Sequence, residues 1–207
     1  MNQNSLKIKR LVGIASLLTI ACVLQWISGF IQFGPFNITL ALLFPLIVGA
    51  ILYGPTGGAI LGLGIGFLVL ASGQATSFLA INPLATVFLC LVKTAVAGLI
   101  SGLIFQKMYK KNLKYAVALS SIAAPIVNTG IFAVGVGIFF QKWLIEAAGG
   151  NNALVHLFTA IIGTNFLVEF IANVVLAPTA LYIIRIVTRN YNLGITLEDS
   201  YIDQKNK

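Results

Sequence analysis

Read from its amino end, the chain alternates long apolar runs with short polar connections, and the runs have membrane dimensions. A helix needs about 20 mostly apolar residues to cross a hydrocarbon core of about 30 Å. Six stretches meet or approach that length: Leu11–Phe30, Ile38–Tyr53, Gly58–Ala71, Leu84–Phe105, Tyr115–Phe140 and Leu157–Ile184. The second and third are short, and Tyr53-Gly54-Pro55-Thr56-Gly57 lies between them. Gly and Pro together favour a turn over a continuous helix, so two short antiparallel segments are expected there. The pattern predicts an all-α integral membrane protein with six helices in one bundle. It divides the chain into a terminus over 1–10, a membrane domain over 11–184 and a tail over 185–207.

Composition supports the class. Of 207 residues, 58% are hydrophobic and 9% charged, and the mean hydropathy is +0.97. A soluble domain carries about 25% charged residues, and disorder needs low hydrophobicity with high charge. Neither fits. Cys22 and Cys90 lie inside apolar runs and read as small buried hydrophobes, not a disulfide framework.

The net charge of +8 is informative by its placement. Lys7, Lys9 and Arg10 precede the first run, Lys107, Lys110, Lys111 and Lys114 separate the fourth and fifth, and Arg185 and Arg189 follow the sixth. With six spans these segments share one side, which the bias of short connections toward Lys and Arg makes cytoplasmic. Both termini are then cytoplasmic. Only Lys142, offset by Glu146, stands on the other side. A lipoprotein-type signal ending at Ile20-Ala21-Cys22 is the alternative for the first run. Thr19 and the apolar continuation to Ile27 speak against it.

Several chemistries lack their residues. The single histidine, His156, falls at the edge of the last run, which leaves no zinc, haem or metalloprotease ligand set. Lys93-Thr94 follows Val92 and Val87 where a phosphate-binding loop needs glycines. Gly62-Leu63-Gly64-Ile65-Gly66 lies in an apolar run and not after a strand. No enzyme, cofactor or metal is expected. Any uphill transport draws its energy from a gradient or from partner subunits.

What the apolar runs do contain is more specific. Lys93 and Glu169 are the ionisable acid–base pair within them, and a charge at the bilayer centre costs at least about 2.5–3.5 kcal/mol unless it faces protein or water. At about 1.5 Å per residue, Lys93 lies about 14 Å inward from Leu84. By the same rise Glu169 and Asn128 each lie about 18 Å from Leu157 and Phe140. Asn165, Glu169 and Asn173 are spaced i, i+4, i+8 and share one helical face. Two readings stand: a buried Lys93–Glu169 pair with Asn128 and Asn173 filling its hydrogen bonds, or a pocket completed by a polar solute. Gln74, Asn82 and Asn152 fall in outer connections that could line or cover such a pocket. Trp26 and Trp143 read as interface anchors, so no aromatic cage is evident.

Gly54, Gly58, Gly62 and Gly66 recur every four residues, as do Thr94, Gly98 and Gly102. Such faces let backbones approach; packing within the bundle is the first reading, and docking of another protein the second.

Together these features resemble the substrate-binding S component of energy-coupling-factor (ECF) vitamin transporters, over about Leu11 to Ile184. The passages that carry the likeness are Phe36-Asn37-Ile38-Thr39, Tyr53-Gly54-Pro55 with the glycine-rich run, and Asn82-Pro83. Pro125-Ile126-Val127-Asn128-Thr129-Gly130-Ile131-Phe132 and Asn165-Phe166-Leu167-Val168-Glu169-Phe170 complete them.

The resemblance implies a six-helix subunit that captures a vitamin at nanomolar-type affinity. It further implies a shared membrane coupling protein, two ATPase subunits that hydrolyse ATP, and substrate release by toppling. The family's Ala-x-x-x-Ala docking face maps to Ala15 and Thr19, the second alanine being a threonine here. The Asn-Thr-Gly-Ile-Phe and Asn-Phe-x-x-Glu passages look most like pantothenate-type members. Lys93 would then meet the carboxylate, and Glu169 and the asparagines the hydroxyl and amide groups. Pyridoxine-like, pyrimidine-like and folate ligands stay open, as do a non-transporting scaffold and, less well supported, an intramembrane enzyme.

Overall fold

A computed structural model describes residues 3–28, 30, 32–33, 36–37, 43–150, 152–157, 159 and 163–190. It is built from helices, as the apolar runs require: α1 Gln3–Ser28, α2 Leu43–Ala71, α3 Thr76–Ile81, α4 Pro83–Met108, α5 Leu113–Phe139, α6 Gln141–Ala147, α7 Ala153–His156 and α8 Thr164–Asn190. A two-residue antiparallel ladder, β1 Gln32–Phe33 with β2 Phe36–Asn37, follows α1. Among the described residues, five helices are long and apolar enough to cross a membrane. Backbone polar groups have no water to bind in lipid, so helices that satisfy them internally are the natural spanning form.

The second of the five, α2, changes direction in its middle. Gly54 has φ 75° and ψ −177°, a conformation that a residue with a Cβ adopts only at a cost. Pro55 follows, and its fixed φ suits the start of a new helical segment. Neighbours on α1 show the reversal. Arg10 meets Thr56, Leu18 meets Gly64 and Gln25 meets Ser72, so α1 runs parallel to the arm 55–71. Gly13 meets Tyr53 and Leu17 meets Gly49, so it runs antiparallel to the arm 43–53. Within α2, Gly58 lies against Ala50 and Gly49 against Leu61. The expected break at Tyr53–Gly57 is thus a tight helical hairpin. Its first described arm rises only about 16 Å, and residues 38–42 of the expected second span lie outside the described residues.

The two glycine faces pack on each other. A Cβ on Gly62 would come within 2.3 Å of the Thr94 carbonyl oxygen, and one on Gly98 within 2.2 Å of the Gly58 carbonyl oxygen. Gly66 faces Cys90, and Gly102 faces Pro55. In lipid, where apolar burial drives little association, such close backbone contact is a main source of cohesion. α5 then lies along α4: Ser101 and Ser120 each donate to the other's carbonyl oxygen, at 3.2 and 3.0 Å.

Boundaries differ from the sequence reading in instructive places. α1 ends at Ser28 and not at Phe30. α4 starts at Pro83 because Asn82 caps it, its side chain accepting from the Ala85 N–H. α5 starts at Leu113 because Asn112 accepts from Lys114 and Tyr115. The sixth expected span begins later than Leu157: α8 starts at Thr164, and Leu157, Thr159 and Gly163 are wound in wider π-type turns. The connections 72–82 and 141–156, expected as loops, contain the short helices α3, α6 and α7.

Candidate functional site

Lys93 projects from the middle of α4 and is half-buried. Its Nζ stands 4.6 Å from the centroid of the Phe132 ring on α5. The ring's negative face offsets part of the cost of a desolvated ammonium. Phe132 lies one turn after Asn128 on the same face of α5, so the cation and this amide share one region. Asn128 is 9% exposed. Pro125, one turn earlier, has no N–H to give the Ser121 carbonyl.

On α8, Glu169 and Asn173 are 3% and 1% exposed. The Asn173 Nδ2 donates to the Glu169 backbone carbonyl at 2.7 Å, which fixes the amide and leaves its oxygen pointing elsewhere. Phe166, one turn before Glu169, packs in the same apolar cluster as Phe78, Phe132 and Trp143. Phe166 thus places the first turn of α8 against the cluster that includes Phe132. Asn165 is on α8, but its side chain lies outside the described residues.

Phe78, on α3, is the centre of the aromatic group, meeting Phe132, Phe140 and Trp143 edge-on at 5.5, 5.1 and 5.2 Å. Trp143 is half-buried and packs on α3 through this contact, while Trp26 is 71% exposed. Gln74 occupies the turn just before α3, a turn that Gly73 makes with φ 79°.

The site's most informative property is unfilled hydrogen bonding. Among the described residues, the buried atoms without a partner are Gln25 Oε1, Gln74 Nε2, Asn128 Oδ1 and Asn173 Oδ1. An unsatisfied buried polar group costs about 1–3 kcal/mol, so four in one small domain call for a physical reason. Three of them belong to residues that the polar pattern singles out. Gln25 is the fourth; its signal in the sequence was that it is the one carboxamide in the first apolar run. Phe78 and Phe132 carried no comparable signal, because an aromatic in an apolar run looks like core.

Asn82 and Asn152 have defined structural roles. Asn82 Oδ1 caps α4, and the exposed Asn152 caps α7 through the Leu154 and Val155 N–H groups. Ala15 and Thr19 are exposed on α1, and the Thr19 hydroxyl donates to the Ala15 carbonyl. This leaves a small, nearly neutral surface there. The described residues hold no group of three His, Cys, Asp or Glu fit for a metal ion. Lys93 beside the Phe132 ring, the buried Glu169 and the unfilled amides are the polar chemistry that these helices hold.

The family comparison agrees. Residues 9–181 match the model of the ECF transporter, substrate-specific component family. The chain belongs to that family. No curated protein matches this ECF component, and no solved structure does. The match covers Ala15, Gln74, Lys93, Asn128, Glu169 and Asn173 alike. Membership makes the ECF component a substrate-specific subunit of a multi-pass membrane transporter, which is not an enzyme class. It also implies association with a coupling subunit and ATPases.

Proposed function

We propose that this ECF component captures a water-soluble vitamin, pantothenate in preference to others, and delivers it inward with a shared coupling protein and two ATPases. One observation carries the reading: buried, unfilled amide atoms at Gln74, Asn128 and Asn173 accompany a half-buried ammonium held over an aromatic ring. Buried polar atoms without partners are destabilising, and a ligand that bonds them offsets that cost.

Pantothenate fits by chemistry. Its carboxylate suits Lys93, and its hydroxyl and amide groups suit the asparagines and Glu169. Phe78 and Phe132 supply apolar walls for its dimethyl carbon. Asn165 and Asn82 belong to the same proposed lining, Asn82 through whatever its capping leaves available. A small ring such as pyridoxine is the second reading, favoured by the Phe78–Phe132 pair.

The scaffold alternative loses its main support, since the glycine faces of α2 and α4 are occupied by each other. In the proposed orientation both termini are cytoplasmic. Arg10, Thr56 and the 109–112 turn lie at the inner end, and Ser72, Gln74 and Asn82 at the outer end of a prokaryotic plasma membrane. Ala15 and Thr19 would meet the coupling protein.

Titration calorimetry of the purified chain with pantothenate, pyridoxine, a pyrimidine and folate tests the reading. Tight heat release with pantothenate alone is expected. No heat with any vitamin, from folded protein, would sink it.

A further inference from the structure

The orphaned acceptor on α1 has a consequence for how substrate lies in the site. Gln25 is 3% exposed, and its Nε2 donates to the Ser72 hydroxyl at 2.8 Å. That hydroxyl itself donates to the Val69 carbonyl at 2.9 Å. With the Ser72 proton on the Val69 carbonyl, the hydroxyl accepts from Gln25 Nε2, which sets the amide orientation seen here. Gln25 Oε1 is therefore an acceptor with no donor, while Gln74, two residues beyond Ser72, offers a donor, Nε2, with no acceptor. Ala21, Val69 and Ala75 belong to one buried cluster, which holds this corner of α1, α2 and the 72–75 turn together.

We propose that Gln25 Oε1 and Gln74 Nε2, braced by Ser72, form a neutral subsite for a hydroxyl or amide group of the substrate. A hydroxyl can donate its proton to Gln25 or accept from Gln74, and an amide group can do the same through its N–H and C=O. The subsite carries no charge, so an anionic group is directed to Lys93.

The backbone levels set the length of the solute. Gly62 of α2 lies against Thr94, the neighbour of Lys93, and Ser72 is ten residues further along, about 15 Å at the helical rise. Side chains on a helix lean toward its N-terminus, so Lys93 leans toward the Asn82 end, where Ser72 also lies. The tips are thus closer than the backbone levels. Phe132, under Lys93, and Phe78, one turn after Gln74, are 5.5 Å apart and line the interval. The substrate class that follows is an elongated solute with an anion at one end and neutral hydroxyl or amide groups at the other.

This inference rests on the proposed substrate-capturing site, and the experiment separates the two. Calorimetry compares pantothenate with its analogue in which the terminal CH2OH is CH3. Wild type is expected to bind the analogue about five- to tenfold more weakly, the worth of one hydrogen bond. Gln25→Met and Gln74→Met are expected to lose a similar factor for pantothenate and to bind both compounds alike. Ser72→Ala removes the brace but leaves both ligand atoms, so it retains discrimination in part. Gln74→Met should not lower the melting temperature of the empty protein, because it removes an unfilled donor.

Variants that discriminate as wild type does overturn the subsite. If pantothenate gives no heat and pyridoxine does, the preference for pantothenate fails. The subsite then stands only if both Gln variants weaken pyridoxine by a similar factor. A folded chain that binds neither overturns both.

Discussion

The ammonium of Lys93 and the ring of Phe132 are 4.6 Å apart, so the one cation in the middle of α4 is held by an aromatic face on α5. A cation stabilised in this way keeps its charge available to an incoming anion, because the ring does not neutralise it. Lys93→Ala is expected to weaken ligand binding by about tenfold or more, the scale of a charge-assisted hydrogen bond. Phe132→Leu is expected to weaken it less. Calorimetry on both variants checks the order.

Asn128 and Glu169 should behave as binding residues and Asn152 as a surface cap. Asn128→Ala and Glu169→Ala are each expected to reduce affinity by about fivefold or more, whereas Asn152→Ala leaves it unchanged. Asn152→Ala removes only an exposed cap, with a stability effect of about 1 kcal/mol. Equal affinities for all three variants would remove the site assignment.

The glycine contacts give a stability prediction that needs no ligand. Gly62→Ala and Gly98→Ala place a Cβ against backbone that has no freedom to move. Each is expected to destabilise by about 1–3 kcal/mol, as overpacking does. Gly137, with nothing within 4 Å of its Cβ position, is the control, and Gly137→Ala should be neutral or slightly stabilising. Thermal unfolding in detergent measures the difference.

Gly54 supplies a backbone test. At φ 75° an alanine is strained, so Gly54→Ala is expected to cost about 1–2 kcal/mol. It should also loosen the hairpin that sets Arg10 against Thr56. Protease sensitivity of the 53–57 turn reports the second effect.

Docking and capture should separate. Ala15 is exposed on α1 while Gln25 faces inward, so Ala15→Trp is expected to abolish uptake by the assembled transporter and spare binding by the isolated subunit. Loss of binding in that variant would show that α1 transmits packing changes to the site.

The apolar runs, the turn at Gly54-Pro55 and the spacing of Glu169 and Asn173 were legible in the chain because they follow from local rules. Membrane thickness sets run length, backbone sterics set the turn, and helical period sets the shared face. The basic residues bracketing the runs were legible for the same reason.

Other features depend on which faces meet, and no local pattern encodes that. The sequence offered two glycine faces without saying that they pack on each other, and Phe78 and Trp143 without saying that they meet. The helix caps made by Asn82 and Asn152 were not legible, because a cap and a ligand contact use the same amide. Gln25 looked like one polar residue in an apolar helix. Only the arrangement of α1 beside Ser72 shows that its Nε2 is bonded and its Oε1 is not. Hydrogen-bond satisfaction is a property of neighbours distant in sequence, so which buried polar atoms stay unfilled was decided by the tertiary structure alone.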